Sequence, residues 1–548
     1  MGVDVVSLTL NKERLFTDLS VPDSDEFLHQ LAMMGVDVES SDEKEIVVDI
    51  TPNRPDLLSQ PGLTRAVKAF LIEPGLKTYT TKKSKLKVRV DPSLKTIRPY
   101  TACAVITNLK LDEEKLKELI DIQEKLHVTF CRNRKRAAIG VYPMEAIHGN
   151  ITFKALPPKK VKFRPLESKK VMTGPEILEK HPKGREFAHL LKDLPLFPVF
   201  VDSKDEVLSL TPVINSHKTG KVTVKTTDVF IEASGHDFRI CHEIMQMMCA
   251  AFADLGGKIC TVDVQYGKKT ERTPDMSTKE QTFYGYYVNR RLGINVTKEQ
   301  LPDLLAKMGL GFRDGRIKDT FHAVVPAYRV DFLHQIDVVE DVAIAYGYDN
   351  IVPELPDLAT VASESPQTLF ADKVRDILAG YGLLEAKNYH LLGKHHQFSE
   401  NLVPLLSSVS EEYDALRQSL LACLLQTLKI NKVHEYPQQL FEIGNVFEMQ
   451  ESVLETTHLG ISVAGDVDYT RIRQVVDGLL LGLGLQGEFS PVDDSRFLKG
   501  RSALLKVNDL EIGTLGELNP ALLAQAELIV PVAGAEIDMS ALLKVSKN

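Results

Sequence analysis

Between Pro326 and Asn350 the chain reads PAYRVDFLHQIDVVEDVAIAYGYDN, with apolar residues returning at Phe332, Ile336, Val339, Ala343 and Tyr346. Alternating steps of four and three gather these positions on one stripe of an α-helix, which predicts a buried face. Pro326 favours extended backbone and Gly347 can close a helix in a left-handed conformation, so the residues between them read as one helix of roughly four turns.

Other stretches carry other periods. Residues 1–85 alternate short strands with helices (VVSLTL, SDEFLHQLAMMG, EIVVDI, LTRAVKAFL), which predicts a small α+β domain. Residues 86–280 hold strands such as KLKVRV, TACAVITNLK, FPVFVD, VFIEA and KICTVDVQYG, with helices expected at 113–127 and 237–254. Residues 281–357 form a module around the helix described above, and Pro353 and Pro356 then predict a linker. From 360 to 548 come a helix ADKVRDILAGYG, a helix DALRQSLLACLLQTLKINKV, a strand QQLFEIGNVFEM and a later sheet. The fold class is therefore multi-domain α+β, as a length of 548 residues also requires, since one domain takes about 100 to 200 residues.

Charge narrows the partners. Lysine and arginine total 66 against 75 acidic residues, a net of 66 − 75 = −9, so nucleic acid would have to be met by local basic patches. Two such patches exist: Arg132, Arg134, Lys135 and Arg136, and the run Lys159, Lys160, Lys162, Arg164, Lys169 and Lys170. Val161 and Phe163 alternate with the second run as in a half-buried strand, which makes the first the better candidate for phosphates. The six cysteines form no C-x-x-C pair, which predicts reduced thiols and no zinc site. With no signal-like start and no run of eighteen apolar residues, the chain is expected to be soluble and cytoplasmic, with no membrane partner. Asn295-Val296-Thr297 then reads as the start of the helix TKEQLPDLLAKMGL, with Thr297 as its N-cap.

Candidate chemistry gathers on the central helix. Asp337, Glu340 and Asp341 stand at i, i+3 and i+4, which directs their carboxylates to one side, and Asp331 lies near the opening turn. Like charges so close repel, and two readings follow: a solvated acidic face, or a hard divalent ion such as Mg²⁺ held by one or two carboxylates with the others around its waters. Two further patterns are set aside. Gly482, Gly484 and Gly487 spell G-x-G-x-x-G but follow a helical pattern and precede a strand-like one, the reverse of a dinucleotide loop. His217, His236 and His242 have no zinc spacing.

Several spaced motifs resemble one family. P-x-Y-R-x-D, D-x-x-E-D and Y-G-Y-D-N-I around the central helix, and P-N-R-x-D-L at residues 52–57, are similar to the β subunits of phenylalanine-tRNA ligase of the archaeal and eukaryotic type. QEKLHVTFCRNRKRAAIG, LSLTPVINS and VFIEASGHD resemble the editing module of those subunits, and L-F-E-I-G-x-V-F with G-x-L-G-E-L-N-P resembles their C-terminal domain.

The resemblance implies a good deal. Asp331, Asp337, Glu340 and Asp341 would bind Mg²⁺ at the contact with an α subunit, in an assembly of two α and two β chains whose α subunit binds ATP and phenylalanine. The segment 86–280 would hydrolyse tyrosine wrongly attached to the tRNA for phenylalanine, with Glu232 accepting a hydrogen bond from the extra hydroxyl. Asn215, Ser216 and Ser234 would then lie near the ester or terminal ribose, with Asp237 as a neighbour. Position 341 is Asp where many bacterial members have Glu, and His236 stands where the compared members have Thr. Residues 360–548 would form a class II synthetase-like antiparallel domain without a working active site. Arg417 and Glu442 suggest its ATP arginine and glutamate, but the glycine-rich strand leading to a second arginine is missing. An RNA-binding or assembly subunit without hydrolysis is the alternative function.

Overall fold

The computed structural model describes residues 6–547; Met1 to Val5, which include the first residue of the expected leading strand, and Asn548 lie outside the described residues. Two compact units divide the chain, Met1–Leu355 and Pro356–Asn548.

The first unit begins with a three-stranded antiparallel sheet in which Glu45–Ile50 lies between Val6–Asn11 and Asp37–Ser41. Leu8 and Leu10 point into the core while Ser7 and Thr9 stay exposed, the alternation a one-sided strand requires. Helices Lys12–Leu19, Asp25–Met33 and Gln60–Leu71 cover it, each opened by a side chain that accepts a backbone N–H: Asn11, Ser24 and Ser59.

A ten-stranded sheet follows. Its spatial order is Ile214–Asn215, Val207–Leu210, Phe197–Val201, Ile151–Leu156, Lys82–Val90, Lys258–Tyr266, Tyr100–Thr107, Val229–Gly235 and Ala137–Pro143, with Lys269–Thr273 paired beside Lys258–Tyr266. The two ends of that order meet. Tyr142, on the last strand, donates its hydroxyl to Ser209 Oγ at 2.8 Å, and the Asn215 side-chain amide donates to the Val141 carbonyl at 3.3 Å. A sheet that curls almost into a barrel leaves a polar gap where its ends face each other. Helices Glu113–Val128 and Phe238–Asp254 match the expected spans to within a residue or so. Residues of the Phe238–Asp254 helix and the large sheet share a continuous apolar core with the first sheet.

The module that follows carries the sheet Lys279–Tyr284, Thr320–Val325, Gly311–Asp314 and the helices Gly285–Leu292, Leu301–Lys307 and Gln335–Tyr346. Three expectations are corrected here. The acidic helix begins at Gln335, because His334 and Asp337 form a capping box that fixes its start, so Asp331 and Phe332 precede it outside any helix or strand. Val338, Val339, Val342, Ala343 and Ala345 form the buried side, while Ile336 is 42% exposed in the unpacked first turn. Gly347 ends the helix at φ 91° and ψ 120°, a glycine conformation but not the left-handed helical one. Likewise Thr297 is not an N-cap: its N–H is bonded by the Gln300 side chain, and the helix starts at Leu301.

In the second unit a seven-stranded sheet runs in the order Leu384–Glu385, Gln438–Met449, Val453–Ala464, Val532–Asp538, Leu510–Leu518, Phe497–Val507 and Glu488–Pro491. Every pairing is antiparallel except the first. Helices Pro366–Gly380, Tyr469–Gly482 and Met539–Ser546 pack on one apolar core with it. The expected long helix from 414 is shorter, Leu420–Ile430, because Ala415–Leu416 pairs as a strand with Leu391–Leu392. Gly482 closes its helix and Gly484 turns at φ 75° before the strand Glu488–Pro491, which agrees with a helix end and no nucleotide loop.

Candidate functional site

The gap between the ends of the large sheet is a cavity of about 420 Å³, lined among others by Glu232, Asn215, Ser209, Thr211, Arg134 and His127. Glu232 sits in the middle of Val229–Gly235, a strand buried along its whole length between Tyr100–Thr107 and Ala137–Pro143. Its carboxyl is 2% exposed as a residue and takes the Tyr142 hydroxyl on Oε1 at 3.2 Å, while Oε2 is buried with no hydrogen-bond partner. Burial pushes its pKa up to about 8 against the pull of Arg98 and of the Ser234 and Tyr142 hydroxyls, so near neutrality the group is an uncharged acid that accepts on Oε1 and has an O–H available to donate.

Hydroxyls continue from that point: Tyr142 reaches Ser209, and Ser209 Oγ lies 3.2 Å from Thr211 Oγ1. Gly140, opposite Glu232 on the neighbouring strand, makes room for this chain; a Cβ there would collide with the Tyr142 hydroxyl and with Glu232 Oε1. On the facing wall the His127 ring accepts the Ile139 N–H at 2.8 Å, and burial pushes its pKa down to about 4, so it is neutral.

The residues expected at this site separate. Glu232 and Asn215 line the cavity. Ser234 does not; it is fully buried and bound to the Arg98 guanidinium, which donates to its hydroxyl at 3.2 Å and its carbonyl at 2.6 Å. Ser216 is buried too, its N–H on the Leu208 carbonyl and its hydroxyl accepting the Lys218 N–H. Asp237 caps the following helix, and exposed His236 is not among the lining residues. Arg134 corrects its expected role as a phosphate contact. It is 7% exposed, donates to the Pro212 and Val213 carbonyls and to Glu124, and stacks on Phe187 at 4.3 Å. Sequence reasoning does not single out Tyr142, Ser209 or Thr211: Tyr142 reads as an ordinary strand residue, and Ser209 and Thr211 stand within LSLTPVINS with no spacing that marks them.

The acidic set is arranged differently from its helical spacing. Asp331 and Asp341 share one cation: the Arg329 guanidinium donates to Asp331 at 2.7–3.2 Å and to Asp341 at 2.9 and 3.1 Å. Asp337 is used by the backbone, its Oδ2 accepting the Leu333 and His334 N–H groups at 2.7 Å each. Glu340 is exposed. The expected convergence of Asp337, Glu340 and Asp341 is therefore corrected: Asp341 turns into the core toward Arg329, and Asp337 turns back to the helix start. Among the described residues no group of three or more His, Cys, Asp or Glu side chains is placed to hold a metal ion. As arranged, these four residues do not fit Mg²⁺, because an arginine occupies the place between two of them.

In the second unit Arg417 and Glu442 do meet, at 2.6 Å, but both side chains are 0% exposed. Asn388 donates to Glu442, and the Asn445 carbonyl accepts from Arg417, so the pair is a buried internal tie, with Arg417 Nη2 left without a partner. All six cysteines are free thiols, and among the described residues no helix is long and apolar enough to cross a membrane.

Two family models match: a tRNA synthetase B5 domain over residues 282–348 and a phenylalanyl tRNA synthetase beta chain CLM domain over 351–539. A multi-domain α+β chain with these two domains beside a nearly closed sheet is a subunit of an aminoacyl-tRNA synthetase. Curated phenylalanine-tRNA ligase β subunits are similar along most of their length. That of Pyrococcus horikoshii is 38% identical over 499 residues, 88% of this chain and 89% of its own. That of Archaeoglobus fulgidus is 35% identical over 95% of both chains, and that of Methanosphaera stadtmanae 33% over 96% of this chain and 98% of its own. The crystal structure of an N-terminal fragment of the Pyrococcus horikoshii β subunit matches with a TM-score of 0.60 at 37% identity, covering 62% of this chain and 99% of the fragment. The chain belongs to the phenylalanine-tRNA ligase β subunit family, archaeal type.

Proposed function

We propose that this β subunit supports charging of the tRNA for phenylalanine by an α partner, which binds ATP and phenylalanine, and that its large-sheet cavity removes tyrosine attached to that tRNA by mistake. One atom carries the reading: Glu232 Oε2, buried in the cavity wall with no partner. Leaving such a group unsatisfied costs about 1–3 kcal/mol, and a phenolic hydroxyl restores the missing bond where a phenyl ring cannot. The cavity volume, about 420 Å³, lies in the range of small-ligand sites and suits an aromatic side chain with its ester at the mouth.

Asn215 is the remaining expected residue with access to the ester side. Ser216 and Ser234 act by holding the walls, Ser234 through Arg98. The second unit serves as a class II-like platform without ATP chemistry, consistent with its buried Arg417–Glu442 pair.

Glu232→Ala tests this in the assembled enzyme. Tyr142 keeps Ser209 as a partner in that variant, so the wall stays closed. Hydrolysis of preformed tyrosyl-tRNA should fall about a hundredfold, as when one preorganised polar contact is removed, with phenylalanine charging near the parent's. Equal hydrolysis removes Glu232 from the site, and a parent that never hydrolyses leaves the assembly-only reading.

A further inference from the structure

We propose that Arg329 is the resident cation of the acidic set, and that this module holds its shape with no bound Mg²⁺. The tripeptide spacing R-x-D occurs twice in the matched motifs, and both copies fold into the same fork. Arg54 donates Nε and Nη2 to the two oxygens of Asp56 at 2.9 and 3.0 Å; Arg329 donates Nε and Nη2 to those of Asp331 at 2.9 and 2.7 Å. Arg54 and Arg329 line one cavity together, and Arg54, Asp331 and Asp341 line another. The two forks thus form one charge cluster joining the loop at 52–57 to the module.

Arg329 is also held at its other edges. Its Nη1 donates to the Met308 carbonyl at 3.2 Å, its guanidinium lies 4.7 Å from the centre of the Phe332 ring, and its side chain is 2% exposed. The charge count is nearly closed: Arg54 and Arg329 against Asp56, Asp331 and Asp341. Mg²⁺ demands oxygens at about 2.0–2.1 Å in near-octahedral array. Binding it between Asp331 and Asp341 would require the guanidinium to leave a buried site where three acceptor groups hold it. A planar, permanently charged fork is suited to bridging carboxylates, and a buried cation of this kind does not exchange with solvent. Asp331, Glu340 and Asp341 all line the 230 Å³ cavity; Arg329 engages the two aspartates, which leaves exposed Glu340 to meet a hydrated ion from outside.

The full chain, and the enzyme assembled with α, would be purified in Mg²⁺, dialysed and measured for metal by plasma emission. Thermal melting would be followed with EDTA and with millimolar Mg²⁺. The expected result is well under one equivalent of retained Mg²⁺ and the same melting curve in both solutions, whether or not Glu340 meets a weakly held ion. Arg329→Met should lower the melting temperature by at least about 5 °C, and Arg329→Lys, which keeps the charge without the fork, by less. Retention of one equivalent by the parent, with EDTA lowering its melting temperature and Asp341→Asn abolishing the binding, would overturn the proposal even if the Arg329 variants fail to fold.

Discussion

Glu232 and Asp341 are both carboxyl groups in the interior of the first unit, and their surroundings are opposite. Asp341 meets a guanidinium with two hydrogen bonds and belongs to a cluster whose charges nearly cancel. Glu232 meets the Tyr142 hydroxyl, which it shares with Ser209, has the Ser234 hydroxyl as a neighbour, keeps Oε2 without a hydrogen bond, and faces a cavity. Closed polar clusters tie segments together, whereas a buried group with unused hydrogen-bonding capacity waits for a ligand to complete it. On that difference rests the reading of the first as a joint and of the second as the proposed binding site. It also reverses the order of interest given by sequence, where the acidic helix was the more conspicuous feature.

The closed pattern should be the costlier one to open. In the second unit Arg417 and Glu442 are a fully buried ion pair in which both Glu442 oxygens are bonded, although Arg417 Nη2 has no partner. Arg417→Met leaves Glu442 with only the Asn388 contacts, and removing one partner of a buried ion pair costs about 3–5 kcal/mol. Hydrogen exchange of the hairpin Gln438–Met449 and Val453–Ala464 is the direct measure, since both strands frame the pair. Unchanged protection there would show that burial of this pair contributes little, and the contrast with Glu232 would lose its energetic basis.

A smaller effect is expected where the open pattern is merely filled. Gly140→Ala puts a methyl group between the Tyr142 hydroxyl and Glu232 Oε1. Crowding of this kind costs about 1–3 kcal/mol, and it should displace Glu232 from the cavity wall. Melting of the variant together with tyrosyl-tRNA hydrolysis by the assembled enzyme checks both parts. Hydrolysis at the parent's rate would mean that the position of Glu232 is not what the cavity depends on.

Much of the fold was legible in the sequence because periodicity records which side of an element is buried. The strand at Val6 and the helices at 113 and 238 follow from it. Boundaries shifted where a local polar contact outweighed the pattern. His334 and Asp337 start the acidic helix later than its apolar stripe suggests, and Ala415 pairs in a small sheet ahead of Leu420. The candidate site was legible only in part. Glu232 and Asn215 could be named through the family motifs, but Tyr142, Ser209 and Thr211 are joined to them only when the two ends of a ten-stranded sheet meet. Arg134 and Arg329 were visible as charges, and burial of their side chains, which no local spacing encodes, decided what those charges do.

Burial raises both carboxyls, Asp341 to about 6 against the pull of Arg329 and Glu232 to about 8, and Glu232, with the larger rise, gives the clearer signed expectation. In the unfolded chain a glutamate titrates near its ordinary value, about 4.3, so between pH 6 and pH 7 it is ionised. In the folded chain burial holds Glu232 protonated until about pH 8. The native state therefore binds one proton more than the unfolded state across that window, and raising the pH must lower stability, by at most about 1.4 kcal/mol per pH unit for a single proton. His127 acts on the other side: with its pKa pushed down to about 4, it removes stability as the pH falls below about 6.5. Comparing the parent with Glu232→Gln cancels His127 and every other group common to both proteins. Melting at pH 6 and pH 7 should show the parent losing more stability than the variant over that step, by about 1 kcal/mol. Parallel losses would mean that Glu232 is already ionised in the folded protein at pH 6, and that under the proposed function its free oxygen would meet a substrate as a carboxylate acceptor rather than as a neutral acid.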